Sequence, residues 1–276
     1  MRPILAVLAV ATAAVCAEAP DARAIVERSV SKDQLNWAKA QDYTMTERKI
    51  TREFEGRKVT SVKSITRDRM FIDGEPFHRL VARDDKPLPP AEQKKEEARL
   101  QKFTSERQNE TPSQRQHRLA EREKQRQKGR EFVKEIPRAY DFKLAGEDRV
   151  DGHEAWIIDA TPRSDFKSDL RGAWILSKFR GRIWITKQDY EWVKVDCESI
   201  DTVRLGLFLA RLSKGAHVLF EQTRVNDEVW LVKHAIVRYD ARLLVKHANV
   251  EEENVFSDFK KFRTDSRILQ VTQQHP

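Results

Sequence analysis

The first stretch with a clear hydrophobic pattern lies in residues 20–40. Apolar residues recur there at Ile25, Val26, Val30, Leu35 and Ala38. This spacing is typical of an amphipathic helix, and Asp21 stands near the start, where a side-chain acceptor suits the free N–H groups of a first turn. We therefore predict a helix over 20–40 that packs its apolar stripe against the rest of the chain.

Short β-prone runs separated by turn residues fill most of the remaining sequence. They cover 43–54, 57–67, 69–72, 76–82, 140–145, 154–161, 182–186, 192–200, 218–225, 229–239, 242–250 and 255–262. No strand–helix–strand rhythm joins them, so the pattern predicts antiparallel strands with tight turns. In one run Val193, Val195 and Cys197 alternate with charged residues, as in a sheet with one covered face and one face in water.

Two short segments between these runs have helical spacing. One contains Leu205, Phe208, Leu209 and Leu212, and the other contains Leu170, Ala173 and Trp174. Both predict small amphipathic helices. They would cover the apolar face of the sheet, either as ordinary core or as a lid over a ligand.

Residues 84–138 differ from their surroundings in composition. They are rich in Lys, Arg, Glu and Gln, nearly free of β-branched residues, and interrupted near Thr111-Pro112. This composition favours helix but offers little apolar surface, so we expect a protruding, charged helical insertion. It could contact a polyanion. Interleaved charges such as Glu121, Arg122, Glu123 and Lys124 favour a solvated helix instead.

The amino end predicts export. Arg2 precedes an apolar run over residues 4–16, and Val15-Cys16-Ala17 suits cleavage after Ala17, so residues 1–17 read as a signal peptide. Acylation of Cys16 is not expected, because Val15 stands where a small residue is required. The apolar run is shorter than the ~20 residues of a membrane-spanning helix. Residues 18–276 are then one domain, interrupted by 84–138.

Charge and cysteine content narrow the picture further. The chain has 52 Lys and Arg against 44 Asp and Glu, and loss of Arg2 would leave 51 − 44 = +7. Cys197 would be the only remaining cysteine, so no intramolecular disulfide is expected.

No catalytic, cofactor or metal-binding pattern stands out. The histidines lack HExxH-type spacing, and Gly-rich phosphate loops and a GxSxG elbow are absent. His234 and His247 could meet across the sheet, although hydrogen-bonded or solvent-facing histidines are more common. Cys197 is expected to be a buried, inert thiol, and Glu251-Glu252-Glu253 a solvated strand end. We expect no enzyme activity.

Three segments carry a family resemblance. They are Val150-Asp151-Gly152-His153-Glu154-Ala155-Trp156-Ile157-Ile158-Asp159-Ala160-Thr161-Pro162, Gly181-Arg182-Ile183-Trp184-Ile185-Thr186-Lys187 and Val193-Lys194-Val195. Together with the order of elements they resemble the LolA/LolB-like periplasmic lipoprotein carriers and their lipid-binding relatives. The resemblance implies an α+β fold: an unclosed, strongly curved antiparallel β-barrel, or half-barrel, capped by helices and able to take acyl chains on its concave face.

The sequence thus supports two functional hypotheses. The first is a monomeric periplasmic carrier of lipid or lipoprotein acyl chains. Its candidate ligand-lining residues are Trp156, Ile158, Trp174, Trp184, Leu205, Phe208, Leu209 and Leu212. The second is an envelope interaction or sensor protein that uses the same fold as a scaffold and contacts a partner protein through 84–138. Nucleic acid is not expected as a partner.

Overall fold

The computed structural model describes residues 20–205, 210–243 and 246–261. The predicted signal peptide, residues 1–17, lies outside them. The helices are α1 (Ala22–Ala40), α2 (Pro90–Gln108), α3 (Pro112–Lys134), α4 (Ile136–Ala139) and a 3-10 helix (Ala173–Lys178). No helix in the described part of the chain is long and apolar enough to cross a membrane.

Thirteen strands complete the secondary structure of the described residues. They are β1 (Tyr43–Glu55), β2 (Lys58–Ile72), β3 (Glu75–Arg83), β4 (Lys86–Pro87), β5 (Tyr140–Val150), β6 (His153–Pro162), β7 (Phe179–Thr186), β8 (Trp192–Ser199), β9 (Val203–Leu205), β10 (Ala210–Leu212), β11 (His217–Val225), β12 (Val229–Leu243) and β13 (Lys246–Lys261).

The strands form one antiparallel sheet. Its order is β4-β3-β2-β1-β13-β12-β11-β8-β7-β6-β5, and the β9–β10 hairpin is attached to β12. Among the described residues the edge strands β4 and β5 do not pair with each other, so the sheet is open. Helices accompany it, which confirms the predicted half-barrel class.

The acidic run Glu251-Glu252-Glu253 lies in the middle of β13, so its prediction as a strand end was wrong. Each carboxylate faces a cation on a neighbouring strand. Arg52 pairs with both Glu251 (2.9 Å) and Glu253 (2.6 Å), and Lys49 pairs with Glu252 (2.6 Å). Opposite charges across neighbouring strands stabilise a sheet, which explains why an acidic run can continue a strand.

The charged insertion joins the two edges of the sheet. It leaves β4 at one edge and enters β5 at the other, and the break between α2 and α3 occurs where Thr111-Pro112 predicts it. At the β3 end, the Phe77 and Phe103 rings lie 5.0 Å apart between centroids, in a tilted arrangement. At the β5 end, Phe132 and Val133 pack on the main core. The insertion is therefore attached at both ends and does not simply protrude.

Helix α1 covers part of the sheet, much as its apolar stripe predicts. Asp21 caps its start, and Ile25, Val26 and Val30 are buried in the main core. Leu35 departs from the prediction and is 63% exposed. The next residue, Asn36, faces the sheet instead, and successive helical residues point about 100° apart.

A β-bulge changes the predicted alternation in β8. Trp184 pairs with Lys194, but Ile185 pairs with Trp192, so Val193 is an extra residue. Val193 packs with Ala155 and Trp230 and does not share a face with Val195 and Cys197.

Candidate functional site

An apolar cavity of about 280 Å³ lies between the sheet and its helical covers. Strands β5 to β8 and β11 form the floor, and the end of α3, α4 and the 3-10 helix form the roof. The apolar lining residues are Phe132, Ile136, Tyr140, Ala160, Ile175, Leu176, Phe179, Ile183, Trp192, Val195, Cys197 and Val218.

The polar groups around this cavity either point away from it or already have a hydrogen-bond or ion-pair partner. Tyr140 donates its hydroxyl hydrogen to the carbonyl oxygen of Leu176 at 2.7 Å, and Trp192 Nε1–H donates to Ser29 Oγ at 2.6 Å. The bordering Arg182 forms an ion pair with Asp159 at 2.7 Å on the other face of the sheet. The cavity therefore presents almost only carbon surface.

Cys197 adds to this apolar character. Burial raises the pKa of its thiol to about 11, so the sulfur is neutral and a poor nucleophile at neutral pH. Gly181 lies opposite: a Cβ at this position would meet Cys197 Cβ at 2.5 Å. Glycine is thus required for β7 and β8 to approach this closely.

The size and lining of the cavity indicate what it can hold. Ligand pockets usually measure ~300–1,000 Å³, and apolar cavities of ~150 Å³ already bind small hydrocarbons. At 280 Å³, the cavity is large enough for an apolar ligand or part of an alkyl chain. The two arginines at its border, Arg180 and Arg182, are already paired with Glu198 and Asp159.

The predicted lining residues fall in different places. Trp156 and Ile158 are buried in the main core cluster and do not line the cavity. Trp174 is 45% exposed, although its neighbours Ile175 and Leu176 line the cavity. Trp184 lies on the opposite face of the sheet, where its Nε1–H donates to Asp148 at 3.1 Å and Lys194 Nζ lies 5.0 Å from its ring.

The predicted helix over 205–212 is wrong at both ends. Val203–Leu205 and Ala210–Leu212 are the short strands β9 and β10, and Leu205 pairs with Ala210. Four apolar residues at helical spacing cannot separate a helix from a hairpin with apolar ends. Leu212 is half-buried, and Phe208 and Leu209 lie outside the described residues.

Several cavity residues were missed because they belong to the charged insertion. Phe132 and Ile136 form part of the roof. The signal was present: Phe132, Val133 and Ile136 stand close together at the end of a segment otherwise dominated by Lys, Arg, Glu and Gln.

Two histidines, His217 and His234, make polar contacts on the sheet. His234 lies between Glu221 (3.4 Å) and Glu253 (3.0 Å), and His217 contacts Asp196 at 2.7 Å. Within the described ranges, no group of three or more His, Cys, Asp or Glu side chains is placed to hold a metal ion.

Comparisons with known proteins return solved structures but no family. No family model matches the chain, and no curated protein matches it. A DUF1329 family protein from Desulfovibrio piger aligns with a TM-score of 0.35 and 13% identity, covering 89% of this chain and 95% of its own.

Two further structures align over similar lengths. A domain from Vibrio parahaemolyticus, described as an outer membrane lipoprotein-sorting protein, has a TM-score of 0.33 and 15% identity and covers 88% of this chain and 95% of its own. A LolA superfamily protein from Nitrosomonas europaea has a TM-score of 0.29 and 10% identity and covers 89% and 94%. All three TM-scores are low.

Proposed function

We propose that the protein is a monomeric periplasmic carrier that holds an acyl chain of a lipid or lipoprotein in the cavity between its sheet and helices. The observation that carries this proposal is the cavity lining: apolar side chains from five strands and three helical segments surround about 280 Å³, and the neighbouring polar groups are satisfied elsewhere. An alkyl chain needs only apolar area for recognition, at ~0.8 kcal/mol per buried methylene.

The test is direct. Protein purified from its native envelope is extracted with organic solvent, and the lipid per protein is measured by mass spectrometry. We expect stoichiometric lipid in the unmodified protein. Val218→Trp fills the cavity from the floor, so its affinity for lipid should fall about tenfold, the effect of losing contact with roughly two methylenes, and its lipid content should decrease.

The matched control is Leu219→Trp, which adds the same side chain one residue along β11. Leu219 pairs with Asp196 and Ile236 on the other face of the sheet, so lipid content should stay unchanged. Thermal unfolding of both variants checks that they fold. A lipid-free unmodified protein, or equal loss in both folded variants, would refute the carrier.

The second candidate is an envelope interaction protein that contacts a partner through its insertion. One observation favours it: neither α2 nor α3 has a buried residue, so both present long charged faces to the solvent. Lipid-free protein in the extraction would leave this as the better hypothesis.

A further inference from the structure

A second depression lies between α1 and α3, beside the β2–β3 turn. It measures about 700 Å³, which is within the usual range for ligand sites. Trp37 of α1 stands on one side and is 44% exposed. Arg118, Arg122 and Arg126 line the α3 side. We call this depression the arginine groove.

The three arginines share one side of α3 because they are spaced four residues apart. Arg118 is fully engaged: it forms ion pairs with Glu110 and Asp73, both at 2.8 Å. These contacts fix α3 against the β2–β3 turn. Arg118 thus helps to fix the position of Arg122, which lies one turn further along α3.

Arg122 is held in place but poorly satisfied. Its side chain is only 20% exposed, and its one carboxylate contact in the described structure is Glu75 at 3.1 Å. Its Nε is buried and has no hydrogen-bond partner in the described structure. Because this nitrogen is enclosed by protein, a ligand in the groove would meet the terminal Nη groups of the guanidinium.

The charge balance of the groove favours an anion. Three arginines and two glutamates line it, which gives 3 − 2 = +1. Lining residues of both signs have partners outside the groove: Glu121 pairs with Lys124 at 3.7 Å, Arg118 with Glu110 at 2.8 Å, and Arg126 with Glu123 at 3.5 Å. Glu75 is then the one lining carboxylate within reach of Arg118 and Arg122.

We propose that the arginine groove binds a phosphate group, with Arg122 as the principal contact and Arg126 as the second. A guanidinium matches the oxygens of a phosphate through two parallel hydrogen bonds. Trp37 at the rim offers an amphipathic ring of the kind that suits the region just below a lipid headgroup. The phosphate can come from a lipid or from free phosphate, and neither source requires a chain in the apolar cavity.

Calorimetric titration of the full-length protein tests the proposal with three probes. They are inorganic phosphate, dihexanoyl phosphatidic acid below its micelle concentration, and dihexanoylglycerol, which lacks phosphate. We expect binding of one or both phosphate-bearing probes and a weakening of at least about tenfold in Arg122→Gln. Tighter binding of phosphatidic acid than of phosphate identifies a lipid headgroup, and equal binding identifies free phosphate.

The control is Lys134→Gln, which removes one positive charge from the same helix outside the groove; Lys134 pairs with Glu131. It should change affinity less than about twofold. Arg122→Lys keeps the charge but loses the planar guanidinium, so it should also weaken binding if it remains folded. Equal weakening in Arg122→Gln and Lys134→Gln would overturn the site, as would failure of both phosphate probes to bind.

The dihexanoylglycerol titration separates this inference from the proposed carrier function. Binding of dihexanoylglycerol as tight as that of phosphatidic acid, and unaffected by Arg122→Gln, would overturn the groove but support the apolar cavity. Phosphate binding that depends on Arg122, in a protein whose envelope extract lacks lipid, would overturn the carrier and support the groove.

Discussion

Glu191 is a buried carboxyl group in the turn between β7 and β8. The residue is 8% exposed, and its side chain makes no hydrogen bond to any described residue, although its backbone N–H donates to Thr186 Oγ1 at 3.0 Å. Burial, together with the nearby Asp33 and Asp189, raises the pKa of Glu191 to about 7. Burial also raises the pKa of Asp33 to about 6.

These shifts make stability depend on pH. The folded-state pKa of Glu191 lies above its ordinary value of 4.5, so the folded protein binds an extra proton between these two values. Stability from this group should therefore increase as pH falls from 7 towards 4.5. Glu191→Gln should stabilise the protein at pH 8 by about 1–2 kcal/mol, below the full linkage value because water screens part of the pocket.

Urea unfolding at pH 5 and pH 8 measures this effect. The control is Glu154→Gln, an exposed carboxylate at the start of β6, which should leave the pH dependence unchanged. A Glu191→Gln variant with the same difference between pH 5 and pH 8 as the unmodified protein would contradict the buried-carboxyl account.

At the residue scale, the sequence predicts which face of the sheet a side chain lies on better than it predicts how deeply the side chain is buried. The alternation in 192–198 places Val195 and Cys197 on the covered face, and both line the cavity. It fails for Val193 because a bulge adds one residue. The burial of Glu191 has no sequence signal, since the carboxyl is enclosed by α1, which lies far away in the chain.

At the scale of elements, α1 is joined to the sheet by two kinds of contact. Its first half packs apolar side chains into the core. Its second half depends on Asn36, whose Nδ2 donates to the Trp230 carbonyl oxygen at 2.8 Å and whose Oδ1 accepts from the Trp230 N–H at 2.7 Å. Both backbone groups of Trp230 are thus satisfied by one side chain.

Asn36→Ala should loosen the second half of α1. The substitution leaves a buried N–H and a buried C=O without partners, at ~1–3 kcal/mol each, so we expect a loss of about 2–4 kcal/mol in the free energy of unfolding. Hydrogen exchange of the Trp230 amide should accelerate. The control is Ser31→Ala on the exposed side of the helix. If the Trp230 amide exchanges as slowly in Asn36→Ala as in the unmodified protein, the two Asn36 hydrogen bonds do not hold α1 on the sheet.

The elements themselves are largely predictable, because long patterns identify them. The observed α1, α2, α3 and most strands lie close to the predicted ranges. The predicted runs 57–67 and 69–72 join in β2, and 246–250 and 255–261 join in β13, whereas residues 242–243 end β12. The charged residues that interrupt their apolar pattern are neutralised across the sheet, so they do not end a strand.

At the scale of the whole molecule, the insertion bridges the open sheet from one edge to the other. Its route from β4 to β5 depends on the strand order, which a single sequence does not specify. Composition correctly predicts charged helices over this stretch. It does not predict that Phe132 and Ile136, at the end of the stretch, form part of the cavity roof. The insertion therefore lines the arginine groove with residues of 117–129 and the apolar cavity with Phe132 and Ile136.

These two attachments of α3 should respond differently to salt. Near its start, Arg115 and Arg118 pair with Asp73 of the β2–β3 turn; at its end, Phe132 and Val133 pack on the core. Salt at 1 M shortens the Debye length to ~3 Å and weakens the partly exposed ion pairs, whereas it does not weaken apolar packing. Hydrogen exchange should therefore increase in 112–126 and stay unchanged in 130–139.

Asp73→Asn tests the same difference between the two ends of α3 at low salt. Asp73 has φ 49°, a conformation that asparagine also tolerates, so the turn should keep its shape while both ion pairs are lost, at about 1–2 kcal/mol. Hydrogen exchange in 112–126 should increase, as we expect in 1 M salt. The control is Glu147→Gln, which removes an exposed partner of Lys187 and should leave exchange in 112–126 unchanged. Because Phe132 and Ile136 stay packed, Asp73→Asn should still retain lipid. Loss of lipid together with faster exchange in 130–139 would mean that the bridge opens as one unit, with the ion pairs at one edge controlling access to the cavity at the other.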